Sequence, residues 1–131
     1  MQLHGVAHVA LTVTDLVRSK DWYGRVFGWE PIMEAEGDGV RFSVGAVPGG
    51  SLLGLRQYDD SPGTDFDPRR VGMDHLAYDG GTADGVREWE QRLDQLGVAY
   101  TPTQETPYGL VLNFKDPDGI ALEIYAAPQP G

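Results

Sequence analysis

Three side chains in this sequence have the type and the placement to hold a divalent metal: His8, His75 and Glu123. The histidines lie in two near-identical stretches, Gly5-Val6-Ala7-His8-Val9-Ala10 and Gly72-Met73-Asp74-His75-Leu76-Ala77, 67 positions apart. Both follow the pattern Gly-x-x-His-(Val/Leu)-Ala. A repeat at half the chain length implies two copies of one structural unit, whose pseudo-symmetry brings the imidazoles to one place. Glu123 lies in Ala121-Leu122-Glu123-Ile124-Tyr125. Strand alternation puts Leu122 and Ile124 on one face and Ala121, Glu123 and Tyr125 on the other. A carboxylate in the middle of an apolar strand is costly to bury unless it is paired or metal-bound. Two histidines with one carboxylate suit zinc with an open position, or non-haem iron in a facial triad. Taken singly, each has a plainer reading: a strand histidine is often a hydrogen-bonded structural residue, and Glu123 an exposed edge-strand charge. The chain has no cysteine, so any metal must be held by His, Asp, Glu or carbonyl oxygen. His4 lies ~13 Å from His8 along an extended chain and reads as chain terminus.

The elements that would position these groups follow from periodicity. Residues 6–13 alternate, with Ala7, Val9, Leu11 and Val13 on one face and His8, Ala10 and Thr12 on the other. Asp15 is the expected N-cap of a helix over residues 16–27, closed by Gly28. Strands are expected over 30–35, 40–44 and 52–58, separated by Gly37-Asp38-Gly39 and Pro48-Gly49-Gly50. Residues 59–71 read as a linker. The second half repeats the order: a strand over 73–78, a helix capped by Thr82 or Asp84 and running to Leu96, and strands over 100–106, 110–114 and 120–125. Asp116-Pro117-Asp118-Gly119 has turn chemistry, with Pro presetting φ and Gly tolerating φ > 0. Trp22, Tyr23 and Trp89 fall on helix stripes as core. Phe27-Gly28-Trp29 matches Leu96-Gly97-Val98 at an offset of 69, which predicts a two-residue insertion between strand and helix. The fold class is α+β, a single domain over 1–131 with module one at 1–58 and module two at 72–131, each β-α-β-β-β.

Charge bounds the partners. The 131 residues include 20 acidic and 10 basic side chains, a formal net charge of −10. That sign argues against nucleic acid and anionic membrane surfaces. No apolar run approaches the ~18 residues of a membrane span. Met1-Gln2-Leu3-His4-Gly5 lacks a basic stretch leading into an apolar one, so no signal peptide is read and the cytoplasm is expected.

The sequence resembles the vicinal oxygen chelate superfamily, which includes glyoxalase I, extradiol dioxygenases, fosfomycin-resistance thiol transferases and bleomycin-resistance proteins. The resemblance is carried by His8-Val9-Ala10-Leu11, by Thr14-Asp15-Leu16 with Ser19, by Trp22-Tyr23 and Phe27-Gly28-Trp29, by His75, and by Asp116-Pro117-Asp118-Gly119 followed by Leu122-Glu123. It covers nearly the whole chain, and the Asp-Pro-Asp-Gly turn before the glutamate strand is its most specific part. It implies paired βαβββ modules forming a cupped mixed sheet around a divalent metal (Zn, Fe, Mn or Ni). It also implies a small-molecule substrate and, commonly, a homodimer whose sites combine modules from both chains. By position, His8, His75 and Glu123 match the metal ligands.

One departure is informative. Glyoxalase I and related isomerases use a glutamate on the last strand of the first module as fourth ligand. The offset of 69 places its counterpart at Gly54. Loss of that carboxylate removes the expected general base and weakens a lactoylglutathione-lyase reading. Arg56 shares the face of Gly54, where it either neutralises an anionic substrate or stands as a surface arginine; Gln57 faces the other way. Glu123 and Tyr125 are the candidate catalytic side chains, Tyr125 as a pocket proton donor or as core packing. Tyr108 is a weaker candidate, on a loop over the cup. The expected function is a metal-dependent, lyase- or dioxygenase-like enzyme that chelates two substrate oxygens. The alternatives are a metal-free binding module of the bleomycin-resistance type and, lower, a fosfomycin-type thiol transferase, for which no Ser-rich potassium-site segment is found.

Overall fold

The structure, a computed structural model, describes residues 1–129. Its elements run β1 (His8–Thr12), α1 (Leu16–Phe27), β2 (Glu30–Gly37), β3 (Val40–Ala46), β4 (Leu52–Tyr58), β5 (Leu76–Asp79), α2 (Ala83–Gln95), β6 (Tyr100–Thr106), β7 (Gly109–Lys115) and β8 (Ala121–Ala126). They fall into two compact units, Met1–Thr64 and a second beginning at Asp65. The first unit's sheet has the order β1-β4-β3-β2, and the second's β5-β8-β7-β6. In each, the first strand is parallel to its neighbour and the other pairs are antiparallel. This is the βαβββ module twice, as the repeat implies. The strands form two four-stranded mixed sheets, one in each module.

The strands carrying the repeated histidines are shorter than their alternation predicts. A parallel ladder begins only where its partner strand begins. His8 is opposite Leu52, the first residue of β4, so β1 starts at residue 8 instead of 6; β5 starts at Leu76, opposite Leu122, instead of at 73. His75 therefore stands immediately before its strand.

Helix ends show where the copies diverge. The Asp15 carboxylate accepts from Arg18 N at 3.1 Å, and the Thr82 hydroxyl, not Asp84, accepts from Gly85 N at 3.0 Å. These N-caps are 67 positions apart, the same offset as the histidines. At the other end Gly28 takes φ 69° directly after Phe27, whereas α2 runs one residue further and adds Leu96 before Gly97 at φ 70°. The two extra residues thus lie at the C-terminal end of the helix, not between strand and helix. Left-handed geometry strands any side chain with a Cβ, so each helix stops at its glycine.

Each module has its own core. Ser19, Trp22, Tyr23, Val26 and Phe27 form the buried face of α1, which packs against β4, where Leu53 and Leu55 are fully buried. Trp22 meets Tyr23 and Phe27 edge-on, with ring centroids 4.9 and 6.2 Å apart. Trp29 Nε1 donates to Leu53 O at 3.0 Å, and a Cβ at Gly45 would collide with the Trp29 ring and the Glu30 carbonyl. In the second module Val86 and Leu93 of α2 are buried, as are Leu112, Phe114, Leu122 and Ile124 on the strands it meets. Each such side chain contributes about 1.5–3 kcal/mol. Burying one face of each sheet in this way leaves the alternate residues, His8 and Glu123 among them, on the other face.

Candidate functional site

In the second module the site is built on β8. Glu123 is paired in register with Ala77 of β5 and Asn113 of β7. Its neighbours Leu122 and Ile124 are each 1% exposed, which fixes the carboxylate on the opposite face. The Glu123 side chain is itself 15% exposed, and its Oε2 lies 3.9 Å from His75 Nε2. That separation is too long for a hydrogen bond. The other ring nitrogen, Nδ1, is 2.7 Å from Asp74 Oδ1. With the proton on Nδ1 donated to Asp74, Nε2 presents its lone pair, and a carboxylate oxygen stands nearby.

The strand carrying Glu123 is launched from a rigid turn. Asp116 is buried, and its Oδ1 accepts from Asp118 N at 2.9 Å and Ile120 N at 2.8 Å. Gly119 N donates to Asp116 O at 2.9 Å, with Gly119 at φ 79°. At the other end of β8 the Tyr125 hydroxyl donates to Tyr108 O at 2.7 Å. Tyr125 thus ties its strand to the β6–β7 turn, while the Tyr108 side chain is exposed.

In the first module, His8 is the first residue of β1 and is exposed. Ala10 and Thr12 share its face and are in register with Gly54 and Arg56 of β4, which in turn oppose Val44 and Phe42 of β3. A Cβ at Gly54 would meet Ala10 Cβ at 3.4 Å and Val44 Cγ2 at 3.8 Å, ordinary contact distances. Arg56 lies with its guanidinium carbon 4.9 Å from the Phe42 ring centroid and 5.9 Å from that of Tyr58. Its Nε is shut off from solvent and has no hydrogen-bond partner. Leaving a buried donor unsatisfied costs about 1–3 kcal/mol, and more when it is charged. Gln57 faces the other way, as alternation predicts, and its Oε1 accepts from Leu16 N at 2.7 Å.

The structure therefore brings His75 and Glu123 together and places Tyr125 two residues further along the same strand face. His8 and Arg56 stand on the corresponding face of the first module. Among the described residues, no group of three or more His, Asp or Glu side chains is gathered to hold an ion. Sequence reasoning missed Asp74 and the side-chain role of Asp116. Asp74 had a usable signal, a carboxylate directly preceding the repeated histidine.

A sequence profile of the Glyoxalase/Bleomycin resistance protein/Dioxygenase superfamily matches residues 5–124. The chain belongs to this superfamily. Among similar glyoxalase-superfamily structures is the glyoxylase/bleomycin resistance protein/dioxygenase domain from Frankia sp. EAN1pec. It is 39% identical, with a TM-score of 0.90, covering 99% of this chain and 96% of that one. The uncharacterized protein YwkD of Bacillus subtilis (strain 168) is 27% identical over 130 residues, 95% of this chain and 98% of that protein. A variant of the fosfomycin resistance protein FosX from Listeria monocytogenes, complexed with Mn(II) and 1S,2S-dihydroxypropylphosphonic acid, shares the glyoxalase fold. Its identity is 20% and its TM-score 0.70, over 97% of this chain and 95% of that one.

Proposed function

We propose that this superfamily member is a divalent-metal-dependent enzyme acting on a small molecule through two chelating oxygens, in a lyase- or dioxygenase-like reaction. The observation that carries the reading is the pair His75 Nε2 and Glu123 Oε2, 3.9 Å apart, with His75 Nδ1 held by Asp74. That gap is under the sum of two donor–metal distances of about 2.0–2.2 Å each. A histidine on one carboxylate and facing a second through its lone pair has the donor chemistry of a metal site with an orienting outer carboxylate. His8 is the proposed third ligand, supplied by the first module of this chain or of a second copy in a homodimer. When bound, the metal supplies Lewis-acid polarisation of the substrate oxygens.

The chain's own residues do the rest. Asp74 holds the His75 tautomer. Glu123 brings one negative charge into an otherwise apolar strand. Gly54 leaves the first module without a carboxylate at the matching position, which disfavours the proton shuttle of a glyoxalase I-type isomerase. Tyr125 is the candidate proton donor, its hydroxyl held by the Tyr108 carbonyl until it turns toward substrate. The manganese in the FosX complex supports a divalent ion in this fold. The proposed setting is the cytoplasm. A second reading, a metal-free binding protein of the bleomycin-resistance type, draws on the rings of Phe42 and Tyr58 beside Arg56.

Elemental analysis of protein purified without chelator tests the choice. Stoichiometric divalent metal, lost in His75→Ala and Glu123→Gln while the fold is retained, is the expected result. Native protein free of metal would overturn it in favour of the binding module.

A further inference from the structure

We infer that Arg56 anchors the carboxylate of the small molecule this protein takes. Calling that molecule a substrate rests on the function proposed above; the carboxylate site itself rests on the first module alone. The chain carries 20 acidic side chains against 10 basic ones, and three of its exposed arginines sit on carboxylates. Arg25 pairs with Asp21, Arg69 with Asp67 and Arg87 with Asp84. Among the described residues no carboxylate pairs with Arg56, and its Nε is buried without an acceptor. A buried charged donor with no acceptor calls for an explanation, and because Arg56 as a whole is only half-buried an acceptor arriving from solvent can meet its side chain.

The surroundings define the acceptor. Phe42 and Tyr58 lie beside the guanidinium at cation–π distances. Gly54, two residues along the same strand face, carries no side chain that would reach Arg56 from its own strand. Ala10 and Gly54 leave a low floor between Arg56 and His8, whose register partner Leu52 lies four residues from Arg56 along β4, ~13 Å at about 3.3 Å per residue. A ligand anchored at Arg56 therefore has room for an uncharged body of several atoms lying toward His8. The planar edge of a guanidinium matches a planar carboxylate in two parallel hydrogen bonds. One arginine balances one carboxylate charge; a phosphate dianion would need a second cation, and no other lysine or arginine lies at a register position beside Arg56 on this face.

The test is a titration of the full chain with benzoate, followed through the arginine Nε–H signals in proton–nitrogen spectra, as purified and again after chelator treatment. The signal absent from Arg56→Lys identifies Arg56. It should move saturably with benzoate and less with inorganic phosphate at equal concentration. Benzoate affinity should fall by about tenfold or more in Arg56→Gln, the loss of a charged hydrogen-bonded pair. Should Arg56→Gln fail to fold, Arg56→Lys, which keeps the charge but loses the planar edge, should still bind several-fold more weakly. A static Arg56 signal, unchanged affinity in the folded variants, or a preference for phosphate would each overturn the assignment. Metal content plays no part in this readout, so its failure and that of the metal reading are separable.

Discussion

Gly54 and Glu123 hold the same register position in their respective sheets. Gly54 lies opposite Ala10 in β1 and Val44 in β3, and Glu123 opposite Ala77 in β5 and Asn113 in β7. Ala10 and Ala77 are the alanines of the repeated histidine pattern. The two copies therefore agree in backbone at this point and differ in one side chain. A carboxylate present in one copy and missing from the other is a difference of chemistry, not of folding.

Gly54→Glu should accordingly fold. Ala10 and Val44 leave a Cβ at ordinary contact distance and the glycine's φ is not in the left-handed region. Replacing a strand glycine recovers roughly 0.5–1 kcal/mol of lost backbone entropy, which offsets part of the cost of the new charge. The variant should retain divalent metal longer than wild type during dialysis against a chelator. It should also weaken benzoate binding, because the new carboxylate competes for Arg56.

Asp74 is the least conspicuous member of the proposed site. Its side chain is 75% exposed, so Asp74→Ala should leave thermal stability nearly unchanged. Without the outer carboxylate the imidazole loses its fixed tautomer and part of its basicity, and metal affinity should drop by about 10–100-fold. Competition with a chromophoric chelator measures it, and Asp74→Asn should lie between alanine and wild type.

Asp116→Ala removes the acceptor for the amides of Asp118 and Ile120. Ile120 is buried, so its freed N–H finds no water, and a cost of about 2–3 kcal/mol is expected in urea unfolding. Asp116→Asn, which keeps an acceptor oxygen, should cost less.

The link between α2 and β6 predicts a pH dependence. The Thr103 hydroxyl, and then Thr103 N–H at 3.0 Å, hydrogen-bond the Glu90 carboxylate and hold its pKa below the ordinary value. A depressed carboxyl pKa adds stability that is present above the unfolded value, about 4.3, and is lost as pH falls through the folded value. Glu90→Gln should therefore melt below wild type at pH 7, and the gap should close as the pH is taken below both values. A gap independent of pH would show that packing, not charge, is responsible.

Local signals recovered much of the chain. The capping aspartate at 15 and the glycine at 28 bound α1, the strand expected over 52–58 is β4, and alternation put Gln57 on the face opposite Gly54 and Arg56. What was not legible depended on partners. The strand at His8 loses its first residues because β4 begins at Leu52 and offers nothing opposite them, and the second module's first strand begins only after His75. The placing of the insertion depended on how the second helix caps, with Leu96 added before Gly97. The approach of His75 to Glu123 joins residues 48 positions apart, and the Asp74 bond is made by residues just outside a strand. None of these leaves a periodic trace.

The Asp116 turn has a consequence for how relatives of this protein are sorted. The stretch that marks the chain most specifically as a member, Asp116 to Gly119, supplies none of the proposed ligands; its Asp116 carboxylate braces the start of β8. A homologue could keep this stretch intact, be grouped here with ease, and have exchanged every reactive group for another. The reverse also holds: a homologue with both histidines and Glu123 but no aspartate at the brace would pass a motif search for ligands while holding its glutamate loosely. The most specific mark of membership and the proposed ligands are written in different residues, and an inventory of such proteins should score them separately.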